Sequence, residues 1–552
     1  MRRKQFLTNN IIYLIIFSLL VLLVAIFYNK IKEPFQTPIW GLTTYTASLE
    51  VPIRPLSCPY IYNLPVVSGT PTAYTINTTT LHSINNRALG FSVEFDIAHK
   101  IFAYKNGSVR ASFISLMNLL KTTQNSSVGP NIRISGSSSE YSAITADREL
   151  TVAQKNTYRF INNFSGSLTM SVSLRNNNPS YYARFINEIK TIVGNATLQL
   201  VEIGNEPEFL PFSTFAEYRT RLDSYITALS PIVSTNISIG GFVHRSPRGG
   251  GEVGSDIPFF TNLVSVIGSY QNTVKVFNMH NYAYNECANR DNKIGTTNRT
   301  TVYQLLDMTY NFNMGTDVDT IKDGTGSRVT VEISEFNTCA CKGHWNVSDS
   351  FASALYVIDF VLYQLYRGIK RVNLHVHPFA DGLYTPFQFG DIYKNVGNDS
   401  DIRIKPIFYG YWLLYYATRN NASLCSPITT PSRNNQIRIW TLQNSNEYNI
   451  VILNMKQSGN KKIRINKIGR ITRNASALYL ICKNGISGKD GVFLGSLTLD
   501  GTTNGTPRKC SGNTANIVGT SSFTFVNIAL VSNSYYEVIV PELTAVLLTV
   551  PK

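Results

Sequence analysis

Apolar runs of strand length alternate with helical patterns through the middle of the chain. Each run is rich in branched apolar residues, and the stretch after it carries apolar residues at helical spacing. The strands are predicted at 89–95, 131–135, 168–174, 198–204, 237–242, 274–280, 328–334 and 371–376. The helices are predicted to run up to residue 120 and over 150–161, 181–193, 215–229, 259–267, 303–312, 351–366 and 407–418. Strands that alternate with helices pair in parallel, and eight such units close into a barrel, so the pattern predicts an α/β fold, a (β/α)8 TIM barrel, over residues 85–420.

The pattern changes on both sides of this region. Beyond residue 420 the chain has short alternating segments at 436–442, 448–454, 463–471, 477–482, 522–530, 535–541 and 543–550. Such segments are typical of an antiparallel β-sandwich, which we predict as a C-terminal domain over 421–552. Residues 35–84, rich in Thr, Pro and Ser, are predicted to be a lead-in segment that can add strands to that sandwich.

An uncharged apolar run at 11–28 follows Arg2, Arg3 and Lys4 and is long enough to span a bilayer. No small-residue cleavage pattern follows it, which favours an N-terminal transmembrane anchor over a signal peptide. We predict a cytoplasmic tail and signal-anchor helix at 1–34, in a single-pass type II membrane protein whose remainder is lumenal or extracellular; secretion after cleavage is the alternative. Twelve Asn-x-Ser/Thr acceptors, taken as a set, fit a glycoprotein on that side of the membrane. Seven cysteines allow up to three disulfides there, with one cysteine left over.

The composition describes a folded, strongly basic protein. Hydrophobic residues make up 43% of the chain and charged residues 15%, which argues against a disordered chain. A formal charge of +16 favours a polyanionic partner: an acidic glycan, an anionic membrane or a nucleic acid. The segment 456–473 concentrates this charge, with lysine and arginine on one side and isoleucine on the other. Such a strand face either binds acidic glycans or is merely solvated, which is the commoner case.

The fourth predicted strand leads directly into a carboxylate. It runs from Leu198 into Gly204, Asn205, Glu206 and Pro207, and the proline ends the strand because it cannot continue the hydrogen-bonded ladder. Side chains at the carboxyl end of a barrel strand point into the face where active sites gather. Asn-Glu-Pro at that place indicates a glycosidase, in which Glu206 protonates the leaving oxygen and Asn205 holds a sugar hydroxyl.

A second carboxylate, Glu335, lies at the end of the seventh predicted strand, three barrel units further on. Glu332 lies in the middle of that strand, so Glu335 is the better candidate. A retaining glycosidase needs a nucleophilic carboxylate about 5 Å from its acid/base, on another strand end. The pair predicts a double displacement in which Glu335 attacks the anomeric carbon, while Glu206, whose pKa the neighbouring negative charge raises, protonates the leaving group. This chemistry requires neither a cofactor nor a metal.

Side chains near other predicted strand ends are candidates for substrate contact. Tyr282, after the sixth strand, can donate its phenol hydrogen to the nucleophile. His280 either contacts sugar hydroxyls or packs in the interior, and packing is the commoner role. Ser137 and Ser138, after the second strand, can hold a sugar hydroxyl or carboxylate. His375 and the histidine two residues beyond it lie on the eighth strand, where they are more typical of packing residues than of a metal pair.

Six short motifs, in chain order, resemble glycoside hydrolase family 79, the family of heparanase and related β-glucuronidases. They are LGFSVEF at 89–95, RISGSSS at 133–139, EIGNEP at 202–207, HNY at 280–282, EFN at 335–337 and PIFYGYWLLYY at 406–416. EIGNEP is the most specific of them, since Asn-Glu-Pro alone is shared with other barrel glycosidases of the same clan. The resemblance covers about residues 85–420, and the predicted sandwich fits the family's second domain.

The resemblance implies a role for each matching residue. It implies Glu206 as the acid/base and Glu335 as the nucleophile, supported by Asn205 and Tyr282. It also implies sugar-binding roles for Tyr411, Ser137 and Ser138. Members of the family usually have two glycines after the second strand, whereas this chain has Ser-Gly-Ser-Ser at 135–138. The contacts expected for a uronate carboxylate therefore differ in this chain.

Three functions are therefore expected. The first is a retaining β-glycosidase that hydrolyses uronic-acid-containing glycans, a β-glucuronidase or heparanase-like enzyme. Its partners are an acidic polysaccharide or glycosaminoglycan substrate and the membrane at its N-terminal helix, and no nucleic acid. The second keeps the barrel and carboxylates but acts on a neutral sugar, as other glycosidases of the clan do. The third is a catalytically silent glycan-binding protein on the same scaffold.

Overall fold

The computed structural model describes residues 64–552, apart from 105–106, 122–127, 142–151, 244–261, 263–266, 285–301, 308–311, 326–327, 379–381, 390–401, 429–435, 456–458, 512–513 and 518–522. These described residues belong to one unit, Leu56–Lys552. The predicted anchor at 1–34 and most of the helix predicted at 259–267 lie outside them. Among the helices of the described residues, none has the length and apolar character needed to cross a membrane. The type II topology therefore stays a prediction.

Eight parallel strands of the described chain close into a barrel. In chain order they are Leu89–Glu94, Asn131–Ser135, Ser167–Val172, Leu198–Ile203, Ile237–Val243, Val274–Tyr284, Thr330–Cys339 and Val372–Val376, and we number them barrel strands one to eight. Strand eight pairs with strand one, with Val372 opposite Leu89, and this pairing closes the ring. The TIM barrel prediction is confirmed, and each of the eight predicted strands overlaps one in the structure.

Helices follow the barrel strands. The α-helices are Ala98–Phe102, Ala111–Leu119, Ser137–Tyr141, Val152–Phe160, Pro179–Val193, Phe215–Val233, Val302–Asp307, Phe312–Thr325, Phe351–Tyr366 and Pro406–Ala417. The 3-10 helices are Ile161–Phe164, Pro207–Phe209 and Gly268–Tyr270. Pro179–Val193 shows why these segments are helical: Asn178 caps it by accepting from the backbone N–H of Tyr181, and a proline follows the cap.

Sheets separate from the barrel make up the rest of the described chain. A four-stranded sheet contains Thr72–Tyr74, Lys461–Asn466, Tyr535–Val540 and Leu530–Val531. An eleven-stranded sheet contains Thr80–Ser83, Ser423–Cys425, Ile437–Gln443, Glu447–Asn454, Thr544–Pro551, Ala475–Cys482, Val492–Leu494, Leu497–Thr498, Arg508–Ser511, Thr514–Ile517 and Val526–Ile528. Phe387–Phe389 and Ile402–Ile404 form a two-stranded sheet. Apart from Thr72–Tyr74, which pairs in parallel, these strands are antiparallel, and side chains of the two larger sheets share one hydrophobic core.

The sheet region packs against the barrel through the long apolar helix Phe351–Tyr366. This helix is buried along almost its whole length, as expected for a helix covered on both sides. Its single acid, Asp359, is fully buried and accepts hydrogen bonds from Arg438 and from Trp440 Nε1 of the eleven-stranded sheet. A buried carboxylate needs such partners. Asp359 therefore links this helix to the eleven-stranded sheet.

The basic segment near residue 460 forms a strand with one buried and one solvent-facing side. Ile463 and Ile465 are buried, as predicted. On the other side, Nζ of Lys462 and Nη2 of Arg464 lie 2.6 and 3.5 Å from the carboxylate of Glu537 on the next strand. The shared acid partly neutralises this face, which favours a solvated surface over a glycan-binding one.

The cysteines form fewer disulfides than the predicted maximum. Cys341 is in a disulfide, whereas Cys425 and Cys482 are free thiols. Two free thiols among seven cysteines leave at most two disulfides. The hydrophobic core, rather than a disulfide framework, therefore carries the stability of this large fold.

Candidate active site

Glu206 lies just beyond the carboxyl end of barrel strand four. Its backbone is left-handed, with φ of +47°, and it precedes the 3-10 helix Pro207–Phe209. A glutamate adopts this conformation only where the surrounding structure holds it, and such residues cluster at functional sites. The turn brings Glu206 to the barrel mouth, where 22% of its side chain is exposed.

Glu335 lies inside barrel strand seven, which runs on to Cys339 rather than ending at residue 334. The pairing with strand six shifts by one residue at this point: Met279 is opposite Ile333, but His280 is opposite Glu335. A bulge of this kind re-aims the side chains that follow it. It explains why Glu335 and Glu332, three positions apart, both make contacts inside the barrel.

The two carboxylates predicted as a pair face each other. One carboxylate oxygen of Glu206, one ring nitrogen of His280 and one carboxylate oxygen of Glu335 all lie within 4.8 Å of one another. Three such ligand atoms are a possible metal set by residue type. The buried cation of Arg133, 3.0 Å from Glu335, already balances the carboxylate charge there, which disfavours a second cation.

Arg133, in the middle of barrel strand two, connects the charged groups of the site. Its Nε and Nη2 donate to the two oxygens of Glu202 at 2.9 and 2.6 Å. Its Nη1 donates to Oε2 of Glu335 at 3.0 Å and to Oγ of Ser92 at 2.8 Å. Burial opposes its charge, but Glu202 and Glu335 hold the pKa of Arg133 above its ordinary value. One cation thus neutralises two buried carboxylates.

The contacts of His280 decide its tautomer. Its Nε2 lies 3.2 Å from Nη2 of Arg133, and its Nδ1 lies 3.0 Å from Oε1 of Glu206. Nη2 of Arg133 donates its two hydrogens to Glu202 and Asn205 and cannot accept, so a hydrogen on Nε2 would point at another N–H group. The neutral ring therefore carries its hydrogen on Nδ1, from which it donates to Glu206. Burial, with Arg133 nearby, lowers the pKa of His280 to about 4, so the ring is neutral at neutral pH. His280 therefore contacts Glu206 as well as packing in the interior, and its contact with sugar hydroxyls stays a prediction.

The pKa values of the two carboxylates are shifted in opposite directions. Burial, and then the charge of Glu335, raise the pKa of Glu206 to about 8. Burial also opposes the charge of Glu335, but His375, His280, Arg133 and a hydrogen bond from Tyr282 outweigh it and lower its pKa to about 2. At neutral pH, where both histidines are uncharged, Arg133 and Tyr282 keep Glu335 ionised. The site therefore holds one protonated and one ionised carboxyl group.

Tyr282 supports Glu335, and a second tyrosine packs against it. The hydroxyl of Tyr282 donates to Oε1 of Glu335 at 2.5 Å. Tyr384, on the loop after strand eight, has its ring centroid 6.3 Å from that of Tyr282 and 5.8 Å from that of His375. The predicted contact between a phenol and the second carboxylate is thus present, and aromatic packing holds the phenol in place.

Asn205 is held by a buried acid that the motifs do not predict. Its backbone N–H donates to Oε1 of Glu140 at 2.8 Å, and its Oδ1 accepts from Nη2 of Arg133 at 2.8 Å. Glu140 also accepts from Ser173 Oγ and the backbone N–H of Arg175. Since Oδ1 is already occupied as an acceptor, the amide NH2 of Asn205 is the group that can donate to a ligand.

A third carboxyl group, Glu94, lies at the end of barrel strand one. The backbone N–H and Oγ of Ser138 donate to its Oε2 at 2.9 and 2.5 Å. Burial, and then the charge of Glu335, raise the pKa of Glu94 to about 8. Gly136, with φ of +81°, leaves the space that this carboxyl group fills, since an added Cβ would lie 2.3 Å from its Cδ. Ser138 therefore donates hydrogen bonds to Glu94 rather than facing open solvent.

His375 lies between two carboxyl groups instead of packing in the interior. Its Nδ1 is 3.4 Å from Oε2 of Glu335, and its Nε2 is 3.8 Å from Oε1 of Glu94. Burial lowers its pKa to about 4, so it is neutral at neutral pH. His375, on strand eight, therefore lies between Glu94 on strand one and Glu335 on strand seven.

Two of the predicted substrate-binding residues are not brought into this cluster. Tyr411 lies on the helix Pro406–Ala417, fully buried, and its hydroxyl donates to the backbone oxygen of Gly90 at 2.7 Å. That contact is at the amino end of strand one, whereas Glu94 of the cluster lies at its carboxyl end, so the structure does not bring Tyr411 to this cluster. Ser137 is exposed at the start of its short helix, while the neighbouring Ser138 contacts Glu94.

The residues that the motifs do not assign share one signal in the sequence. Each is a charged or titratable residue inside or next to an otherwise apolar barrel strand, where solvent exposure is not expected. These are Glu94, Arg133, Glu202 and His375, on four different barrel strands; the buried acid Glu140 lacks this signal, because it lies on the short helix after strand two. Buried charges need partners, so their presence on separate strands indicates one shared polar cluster.

Comparison with known proteins gives a likeness in fold. No protein-family profile matches the chain, and no curated protein matches its sequence. A 4-O-α-L-rhamnosyl-β-D-glucuronidase from Fusarium oxysporum 12S is 15% identical, with a TM-score of 0.62 over 87% of this chain and 100% of that chain. A family 51 α-L-arabinofuranosidase from Bifidobacterium longum is 12% identical, with a TM-score of 0.58 over 87% of this chain and 100% of that chain.

A bifunctional glucanase-xylanase from a metagenome library, CelM2, is 12% identical, with a TM-score of 0.56 over 88% of this chain and 100% of that chain. All three named proteins act on glycosidic bonds, but the sequence identities are low. The comparisons therefore show that the chain shares the barrel fold of these glycosidases, and its activity must be argued from its own residues.

Proposed function

We propose that the protein is a retaining β-glycosidase that hydrolyses uronic-acid-containing glycans, with the chemistry of glycoside hydrolase family 79. The observation that carries this proposal is the Glu206–Glu335 pair, with oxygens within 4.8 Å and oppositely shifted pKa values. Inverting enzymes separate their carboxyl groups by about 6.5–9.5 Å to admit a water, whereas retaining enzymes need about 5–5.5 Å. The short gap favours retention.

The first step is attack by ionised Glu335. A carboxylate oxygen forms a bond to the anomeric carbon as the bond to the leaving oxygen breaks, and the proton of Glu206 passes to that oxygen. Because Oε1 of Glu206 accepts from His280, the proton is on Oε2. Arg133 and Tyr282 hold Glu335 in the orientation for attack. The amide of Asn205 is placed to hold a hydroxyl of the same sugar.

The second step releases the sugar. Glu206, now ionised, takes a proton from water, and the resulting hydroxide equivalent attacks the anomeric carbon. The ester bond to Glu335 breaks, which regenerates both starting protonation states and retains the configuration at the anomeric carbon. The pKa of Glu206 near 8 suits a group that must give and take a proton near neutral pH.

Two observations support an acidic sugar. The chain carries a formal charge of +16, which attracts polyanions. Six motifs in order also resemble a family that acts on glucuronides.

The neutral-sugar alternative rests on Glu94, because a carboxyl group at the site is suited to binding sugar hydroxyls. With its pKa raised to about 8, Glu94 is protonated at neutral pH and does not repel a uronate.

A panel of p-nitrophenyl β-glycosides tests the proposal. We expect turnover of the glucuronide, with loss of at least about a thousandfold in kcat for Glu206→Gln on a natural leaving group and for Glu335→Gln on any substrate. Glu332→Gln is the matched control, since Glu332 pairs with Arg371 and not with the carboxylate pair. Turnover of another glycoside instead would support the neutral-sugar alternative. No turnover, with binding to heparin retained, would support a silent glycan-binding protein.

A further inference from the structure

Glu140 is a buried acid whose carboxyl group is bonded by neutral groups. It lies on the short helix Ser137–Tyr141 after strand two, and 1% of it is exposed. Four groups donate to it: the backbone N–H groups of Leu174, Arg175 and Asn205 and the hydroxyl of Ser173. Burial raises the pKa of Glu140, and these hydrogen bonds oppose that rise. An apolar side chain would fill the same space at a lower cost in free energy, so this acid indicates a role in positioning its partners.

The groups bonded to Glu140 come from the loops after barrel strands three and four. Its Oε2 accepts from Oγ of Ser173 and from the backbone N–H of Arg175, both at 2.9 Å. Its Oε1 accepts from the backbone N–H of Asn205 at 2.8 Å and from that of Leu174 at 3.3 Å. One oxygen therefore joins the two loops, and the side chain that carries it comes from a third.

The turn that leads to Glu206 depends on this contact. Gly204 and Glu206 both have left-handed backbones, with φ of +83° and +47°. The N–H of Gly204 still donates to the oxygen of Val172 on strand three at 2.9 Å, but the next N–H, that of Asn205, donates to Glu140 instead. A buried N–H without an acceptor costs free energy. Glu140 therefore supplies the acceptor that the strand ladder no longer provides at this point.

Leu174 adds a second contact to the same turn. Its N–H donates to Glu140, and its side chain lies against Gly204, where an added Cβ would be 2.5 Å from Cδ1 of Leu174. The loop that carries Leu174 is held in turn by Tyr225, whose hydroxyl donates to the backbone oxygen of Ser173 at 2.6 Å. The turn before the acid/base is therefore held by a fixed loop on one side and by Glu140 on the other.

The helix that carries Glu140 is itself fixed to the barrel. The backbone N–H and Oγ of Ser138 donate to Oε2 of Glu94 on strand one at 2.9 and 2.5 Å. Oγ of Ser139 donates to the backbone oxygen of Gly136 at 2.8 Å. The carboxyl group of Glu140 therefore has a defined position, from which it can set the position of the turn.

We propose that Glu140 is a positioning residue for the acid/base: by holding the backbone N–H of Asn205, it sets the direction in which the Glu206 carboxyl group points. This inference rests on the proposed function. A general acid must lie within hydrogen-bond reach of the leaving oxygen, and a displacement of about 1 Å can cost about a hundredfold in rate. Glu140 is buried and acts through the backbone rather than on the substrate.

The test compares two leaving groups. The leaving oxygen of an alkyl β-glucuronide must be protonated, whereas that of dinitrophenyl β-glucuronide need not be. Glu140→Gln keeps the size of the side chain but has one acceptor oxygen, so its NH2 group must face two of the four donors. We expect kcat/KM to fall at least about thirtyfold for the alkyl substrate and less than about threefold for the dinitrophenyl substrate. Glu332→Gln, which also removes a buried acid, is the matched control and should change both by less than about threefold.

The pattern of losses decides the outcome. Equal losses for the two substrates in Glu140→Gln would show a general structural role and overturn the inference, and so would no loss for either. Glu140→Asp keeps the carboxylate on a shorter side chain, so it should lose less on the alkyl substrate than Glu140→Gln does. If Glu140→Gln does not fold, Glu140→Asp takes its place: a loss confined to the alkyl substrate supports the inference, and equal losses overturn it.

Hydrogen exchange gives a measurement that does not depend on catalysis. The backbone N–H of Asn205 should exchange at least about tenfold faster in Glu140→Gln than in the wild-type protein, and at the wild-type rate in Glu332→Gln. If the wild-type protein turns over no glycoside, the proposed function fails on its own. The inference is then judged by this exchange, and equal protection of Asn205 in the two variants would overturn it.

Discussion

Nδ1 of His280 donates to Oε1 of Glu206, because Nε2 of the same ring faces Nη2 of Arg133, a group that can only donate. A neutral imidazole between a cation and a carboxyl group has only one tautomer that satisfies both neighbours. That tautomer leaves Oε2 of Glu206 as the oxygen that gives and receives the catalytic proton. The acid/base is therefore oriented by a residue whose own pKa, lowered to about 4 mainly by burial, keeps it neutral while the enzyme works.

The first prediction concerns pH. The acid must be protonated, and its pKa is raised to about 8 by burial and by Glu335, so kcat/KM should fall as pH rises through about 8. The nucleophile, with a pKa lowered to about 2, stays ionised, so activity should hold on the acid side until the histidines protonate near pH 4. A pH profile with an alkyl β-glucuronide, whose leaving oxygen must be protonated, measures both limits. A profile that already declines above pH 5 would contradict the assignment of Glu206 as the acid.

The second prediction separates the two glutamates of strand seven. Glu335→Ala should lower kcat by about four to six orders of magnitude, because it removes the nucleophile, and added azide should restore part of the rate with an inverted glycosyl azide as product. Glu332→Ala should leave kcat within about tenfold and give no azide product. NMR of the product gives the anomeric configuration. Azide rescue of the Glu332 variant, or of neither, would refute the role of Glu335.

The third prediction concerns the buried cation. Arg133→Met leaves Glu202 and Glu335 without their shared partner, so the free energy of unfolding should fall by about 3–5 kcal/mol in urea. The pKa of Glu335 should also rise, which moves the acid-side loss of activity to higher pH. Adding Glu202→Gln to this variant removes one unpaired charge, so it should recover part of the stability without restoring the acid limit. A double variant no more stable than the single one would count against a shared charge network.

The fourth prediction uses two glycines with nearly equal positive φ. Gly136 and Gly194 have φ of +81° and +82°, but an added Cβ meets the carboxyl group of Glu94 at Gly136 and nothing within 4 Å at Gly194. Gly194→Ala should cost about 1 kcal/mol of stability through its backbone alone. Gly136→Ala should cost more and should lower kcat/KM, because Glu94 must move. Equal losses of stability in denaturant unfolding, with activity unchanged in both, would show that Glu94 is not held by this contact.

The order and number of the barrel elements could be predicted from the sequence. Eight apolar runs alternate with helical patterns, and each run overlaps a strand of the closed barrel. This succeeds because a strand buried on both faces is apolar throughout and a helix has apolar residues at helical spacing, and both patterns are local. Glu206 and Glu335 could be predicted as candidates because each directly follows a predicted strand, although strand seven continues past Glu335 to Cys339. The proline after Glu206 predicts a turn there, but the residue types do not predict the left-handed backbone of the glutamate.

The partners of these carboxylates were decided by the tertiary structure. Arg133 reaches Glu335 across 202 positions of sequence, and only the closure of the barrel brings strands two and seven to a common centre. The bulge opposite His280 changes which side chains of strand seven point inward, and no local pattern predicts a shift that depends on the neighbouring strand. Tyr411 shows the converse: its motif resembles a site residue, but the helix that carries it packs its hydroxyl on the backbone at the far end of strand one. Local periodicity determines which elements form, whereas side-chain direction and charge pairing depend on how the whole ring closes.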